Sequence, residues 1–177
     1  MVKKLFLLLF YTLFFIMAVL YFAPKANIYY FAEQQLQKQG IIVNDEALND
    51  KGFTFEINHV TLYVKKIESA KIEKITMQFL LLYNDIQVQD VVLPDMASMF
   101  VPLHVKSLFL TYSVLHPLHV KGKSSGAFGK ADIDINLAKK VLHIVLKPSK
   151  EMLLHYRNTL RNMKKDKNGG FVYEQSF

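Results

Sequence analysis

The chain has 177 residues, 22 Lys/Arg against 15 Asp/Glu, a formal net charge of +7 and no cysteine. The lack of cysteine excludes disulfides, thiolate metal sites and a cysteine nucleophile. Setting aside an apolar run near the N-terminus leaves about 150 residues, one domain's worth with room for its own core.

Leu5 to Ala23 is a run of 19 residues, LFLLLFYTLFFIMAVLYFA, without charge, Gly or Pro. A helix rises about 1.5 Å per residue, so this length spans a hydrocarbon core of about 30 Å. Unpaired amides are costly inside a bilayer, which makes a helix the natural form of the run. Leu5, Phe10, Phe15, Leu20 and Phe22 are its expected anchor residues. Lys3 and Lys4 flank its start and place the N-terminus in the cytoplasm. A cleaved signal peptide fits less well. The run exceeds the usual apolar region, and cleavage after Ala23 or Ala26 would put Tyr21 or Pro24 where a small residue is wanted. The predicted layout is a cytoplasmic tip and single-pass anchor over 1–24, with the rest outside the cytoplasm.

Pro24 separates the anchor from a juxtamembrane helix over 25–40, which stops at Gly40, a suitable residue just past a helix end. Ile28, Phe31, Ala32 and Leu36 share its predicted apolar face. From Ile41 the period changes. Alternation predicts strands at Phe53–Ile57, Val60–Val64, Ile75–Leu81, Asp85–Val91 and Ala131–Leu137, and Val141–Leu146 is a β-branched run. Asn58–His59, Tyr83–Asp85 and Lys121–Gly126 read as connectors, and short connectors imply antiparallel neighbours. Pro94–Pro102 reads as a short helical or loop element capping the core. Ser149 is a good N-cap for an amphipathic helix from Lys150 to about Met163. Lys165–Gly170 then reads as a turn and Gly170–Phe177 as a last strand. The expected fold is mainly β: an antiparallel meander, curved or sandwich-like, over 41–177, with a helix near 150–163.

Two segments break the alternation. Leu80–Leu82 and Leu108–Leu110 are apolar at every position. Either both sheet faces are covered there, or one face is an open apolar trough, with Leu80, Leu82, Leu108 and Leu110 as its candidate lining. A second surface is basic. Lys150, Arg157, Arg161, Lys164 and Lys165 fall in a stretch with few acidic residues, suited to anionic headgroups or an acidic protein partner, or else simply a solvated helix face. Nucleic acid is disfavoured by location and by the lack of aromatics among these cations.

Signals for chemistry are sparse. His104, His116, His119 and His143 invite a metal reading. However, His116 and His119 are expected on opposite faces of an extended segment, and no carboxylate recurs at ligand spacing. Asp132 and Asp134 share one strand face, the usual pattern of a wet face. No phosphate-binding loop, nucleophile elbow or H-E-x-x-H is present. No catalytic activity and no cofactor are expected.

Two stretches carry a family resemblance. Ala23–Val43 (APKANIYYFAEQQLQKQGIIV) is a proline, a short helix with Tyr-Tyr and Glu33, then Gly-Ile and a strand. Ser124–Ser149 (SSGAFGKADIDINLAKKVLHIVLKPS) is a small-residue start, Gly129, an alternating strand, and a strand closing on Pro-Ser. In this order they resemble the type II secretion system protein N family and the wider AsmA-like group of membrane-anchored periplasmic β proteins. The resemblance implies an inner-membrane anchored, periplasmic accessory or scaffold of an envelope-spanning secretion or assembly system, acting through envelope-complex proteins. The AsmA-like group also implies the alternative of a lipid-binding or lipid-transfer module that holds phospholipid on an apolar sheet face.

Overall fold

The computed structural model describes residues 2–166 and 169–177. Helix α1 (Val2–Phe22) buries none of its side chains and is long and apolar enough to cross a membrane. Helix α2 (Lys25–Lys38) follows, and Gly40 ends the turn behind it at φ 79°, a conformation that favours glycine. Then come β1 (Ile41–Asn44), β2 (Ala47–Asp50), β3 (Thr54–Val64), β4 (Ile67–Phe79) and β5 (Tyr83–Val92). A 3-10 turn at Asp95–Met99 leads to β6 (His104–Ser113), β7 (His119–Gly126), β8 (Gly129–Asn136) and β9 (Val141–Pro148). Short helices α3 (Lys150–His155) and α4 (Arg157–Arg161) precede β10 (Lys164–Lys165) and β11 (Phe171–Ser176).

All these strands belong to one antiparallel sheet that does not close. From β3 to β9 it is a plain meander; β11 pairs with β9, β10 lies beyond it, and β1 and β2 share the outer side of β3. This is the expected mainly β fold, with an open sheet in place of a sandwich.

Several local expectations are corrected. Phe53–Ile57 and Val60–Val64 belong to one strand, and Asn58–His59 lies inside it. Pairing runs in constant register from Ile57–Ile75 to Val60–Ile72 while passing over His59 and Glu73, and Asp90 is passed over in the same way between β4 and β5. His59 and Asp90 adopt φ of 57° and 51°. At this seam the apolar positions step by three residues: Ile57 to Val60, Ile75 to Ile72, Val88 to Val91. All six pack in one cluster. The extra left-handed residue therefore keeps the apolar face continuous where strict alternation would invert it.

Lys121–Gly126 is no connector but most of β7, whose small and polar residues hide a strand from periodicity; the tight turn is at Ala127–Phe128. Tyr83–Asp85 begins β5, and β4 stops at Phe79. His116 to His119 is a turn, closed by the His119 N–H donating to the His116 carbonyl at 3.1 Å. The helix expected over Lys150–Met163 is broken at Tyr156 (φ −118°, ψ 34°), although Ser149 does cap α3 by accepting from the Met152 N–H at 3.0 Å. Of the expected turn at Lys165–Gly170, Lys167 and Asn168 lie outside the described residues; its flanks are joined by the Asp166 N–H donating to the Gly170 carbonyl at 2.8 Å.

Helix α2 packs through Ala26, Tyr29 and Leu36 onto the cluster of Phe55, Ile57, Val60 and Ile72. Ile28 and Phe31, on the face expected to pack, are 58% and 63% exposed. The Tyr29 ring meets Phe55 at 6.2 Å between centroids. Burial, reinforced by the nearby Glu46 and Glu33 carboxylates, holds the Tyr29 hydroxyl well above the usual phenol range.

Candidate functional site

The strand register decides which side chains share a face. One row runs Ile75, Val88, Leu108, Ser124, Ala131, Leu146, Phe171; the next runs Met77, Ile86, Leu110, Gly122, Ile133, Ile144, Tyr173. At the β3 end these rows join the cluster under α2. At the β11 end they join a second cluster, in which Ala131 and Leu146 pack with Met152 of α3 and Leu160 of α4. Both helical covers therefore sit on the same face of the sheet. Between them the apolar floor of β5 to β8 is uncovered: Val88, Leu108, Leu110 and Ile133 are half-buried, and Ile86 is 37% exposed.

The alternate rows form the opposite face, which is polar. It carries Gln87, Lys123 and Asp132 in one row and Lys121, Asp134, His143 and Glu174 in the next, with Phe109, Val145 and Val172 as apolar members of the first row. At its edge, Lys51 and Lys74 donate to Glu56 at 2.7 and 3.0 Å and hold its carboxyl below the usual range.

This arrangement sorts the four leucines of the candidate trough. Leu108 and Leu110 lie on the apolar floor. Leu80 and Leu82 do not; they form the β4–β5 turn and are 38% and 55% exposed. The floor residues beside Leu110 were hidden in the sequence because Met77 and Ile86 sit in regular alternation and mark only a buried face. Met77, Phe79, Ile86, Leu110, Tyr112 and Val120, with the polar residues Gln78, Asn84, Asp85 and Thr111, line an open cleft of about 440 Å³. Gly122 makes room for it: a Cβ there would lie 2.5 Å from Leu110 Cδ2, so a larger residue would make the Leu110 side chain shift.

The two ends of the trough differ. At the far end the Pro94–Pro102 segment does not cap the core, since Met96, Met99 and Phe100 are 67%, 78% and 64% exposed. It reaches toward α4 instead, where the Thr159 hydroxyl donates to the Phe100 carbonyl. The other end is the one from which α1 departs. The Tyr21 ring packs edge-on against Phe53 at 5.3 Å, and a Cβ on Gly52 would collide with Tyr21. Lys25, 3% exposed, donates to the carbonyls of Tyr21 and Ala23 and pairs with Asp50 at 3.3 Å. A cation at the C-terminus of α1 satisfies its last carbonyls and fixes the helix to the β2–β3 turn. Of the five expected anchor residues, Leu5, Phe10, Phe15 and Phe22 are exposed and Leu20 is half-buried.

The five basic residues, Lys150, Arg157, Arg161, Lys164 and Lys165, are all exposed. Arg157, Arg161 and Lys165 converge on a groove of about 460 Å³ floored by Leu153, Leu160, Met163 and Phe171; Lys150 and Lys164 do not line it. Of the four candidate histidines, His116 and His119 share one shallow pocket with Lys121 and Asp134, and His104 and His143 lie elsewhere. His59, His104, His119 and His143 each pair with a carboxylate, Glu73, Asp90, Asp134 and Glu174, at 3.2–3.5 Å. These pairs are solvated and contribute little to stability. Among the described residues no three His, Asp or Glu side chains are placed to hold a metal ion. Comparison of the chain with protein-family models, curated proteins and solved structures finds no match.

Proposed function

We propose that the protein is a membrane-anchored binding module, not an enzyme, and that it holds a lipid acyl chain on its open sheet face. The observation that carries this reading is the uncovered apolar floor between two helical walls on one face. Leaving Ile86, Leu110 and their neighbours in water forgoes burial worth about 25 cal/mol per Å². An apolar occupant would recover it. The cleft volume falls within the roughly 300–1,000 Å³ of small-ligand sites. Most of its exposed lining surface is apolar, which suits methylene groups. The cleft also lies at the end where α1 departs, so a chain from the anchoring bilayer has a short route into it. Lys3 and Lys4 before α1 favour a cytoplasmic N-terminus, with the domain on the far side of the membrane.

Native mass spectrometry of the full chain released from mild detergent tests the proposal. Phospholipid adducts should survive gentle activation in the parent protein and fall several-fold in Leu110→Lys. A parent protein that always flies free of lipid would overturn it.

A second reading, a docking scaffold for envelope proteins, is favoured by one observation. Lys164 and Lys165 pair only with Val172 and Phe171, so among the described residues the outer edge of β11 from Tyr173 to Ser176 has no strand beside it. An extended segment of another protein could add there.

A further inference from the structure

The meander alternates direction at every turn, so the β4–β5, β6–β7 and β8–β9 turns and the end of β11 all lie at the end of the sheet where α1 departs. Backbone hydrogen bonds lace this rim together. Phe79 donates to Phe53 at 2.8 Å, Val114 to Leu82 at 3.1 Å, Leu137 to Leu118 at 2.9 Å and Phe177 to Lys140 at 3.0 Å. Turn tips normally carry Gly, Asn, Asp or Ser, because those residues fit turn geometry and water. These tips read Leu80-Leu-Leu-Tyr83, Val114-Leu-His-Pro-Leu118 and Leu137-Ala-Lys-Lys140, with no acidic residue in any of them. Leu82, Leu115, Leu118 and Phe177 are 55%, 74%, 52% and 64% exposed. At the opposite end the β3–β4 tip is Lys65-Lys66.

We propose that this rim rests on the bilayer that holds α1, with the leucines of the β4–β5 and β6–β7 tips sunk into the interface. Three observations favour lipid as the occupant. The rim is continuous with the anchor through Phe53 and Tyr21. Its exposed apolar groups sit on turns, which can enter an interface edge-on. Its charged groups, Lys139 and Lys140, suit anionic headgroups. Such contact adds a second attachment to the single helix, fixes the tilt of the domain, and presents the open end of the trough to the membrane. The proposal rests on α1 spanning the membrane and is independent of whether any chain occupies the cleft.

The absence of native cysteine allows a clean test with the full chain. Leu82→Cys, Leu115→Cys, Lys65→Cys and Met99→Cys are each labelled with an environment-sensitive fluorophore. They are reconstituted into phosphatidylcholine–phosphatidylglycerol vesicles containing lipids with a nitroxide near the headgroup. Labels at 82 and 115 should be quenched several-fold more than the label at 65. Met99, exposed and apolar at the other end, controls for a label that seeks lipid by itself, and should behave like Lys65. Equal quenching at all four positions would overturn the proposal. So would shielding at 82 and 115 from a water-soluble quencher without nitroxide quenching, which would assign the rim to protein contact.

Discussion

Replacing Phe55 by Ala lowers the stability of the domain by about 3–5 kcal/mol. Phe55 is 1% exposed, at the centre of the cluster between β3, β4 and α2. The cavity left behind could not collapse. β3 and β4 are held by their ladder, and α2 is pinned at both ends, by Lys25 to Asp50 and by the Gly40 carbonyl accepting from the Lys65 N–H at 2.7 Å. Ile86→Ala is the informative comparison. Ile86 lies on the same face but is 37% exposed and has no helix over it, so its truncation should cost under about 1 kcal/mol. Denaturant unfolding of both variants in a common detergent measures the contrast. Equal losses would mean that the floor beside Leu110 is covered, and the trough would not exist.

Gly129→Ala should cost about 2–4 kcal/mol and loosen the wall of the trough opposite α2. Gly129 has φ +116°, and an added Cβ would lie 2.2 Å from the Lys147 carbonyl oxygen and 2.6 Å from the Ser149 nitrogen. These are backbone atoms and cannot swing aside. The strand end they belong to also seats α3. The Ser149 hydroxyl donates to the Ala127 carbonyl at 2.6 Å while accepting from Met152, and the Ser149 N–H donates to the Phe128 carbonyl at 2.9 Å. Displacing this corner would release Met152 and Leu160 from the second cluster. Hydrogen exchange should show faster exchange in α3 and α4 with little change in β3 and β4. Unchanged exchange in α3 and α4 would mean that the corner does not hold the wall.

The apolar N-terminal helix, the antiparallel sheet and the Ser149 cap were legible because each is local: an unbroken apolar run, a two-residue period, a capping hydroxyl. What was hidden depends on register. Leu80, Leu81 and Leu82 resemble a buried strand by composition, and only the pairing of Phe79 with Asn84 shows that they form a turn. β7 was missed because Lys-Gly-Lys-Ser-Ser has no apolar alternation. Its place is set by Gly122 receiving Leu110 and by the Ser107 and Ser125 hydroxyls bonding across strands at 2.8 Å. The seam at His59 and Asp90 inverts the period midway along β3 to β5, so alternation read one long strand as two. That both helical covers lie on one face follows from eight strands of cross-strand pairing, which no window of sequence contains.

A lipid chain on the open face would touch one side of each strand and not the other, because side chains alternate between the two faces. A photo-crosslinking residue is placed singly at Ile86, Leu110, Gln87 and Lys123 in the full chain, and the membranes are irradiated before purification. Positions 86 and 110 lie on the apolar floor; 87 and 123 are their neighbours on the polar face. Phospholipid adducts are expected at 86 and 110 and none at 87 and 123. Protein adducts alone at 86 and 110, or lipid adducts of equal yield on both faces, would contradict a lipid chain on the open face.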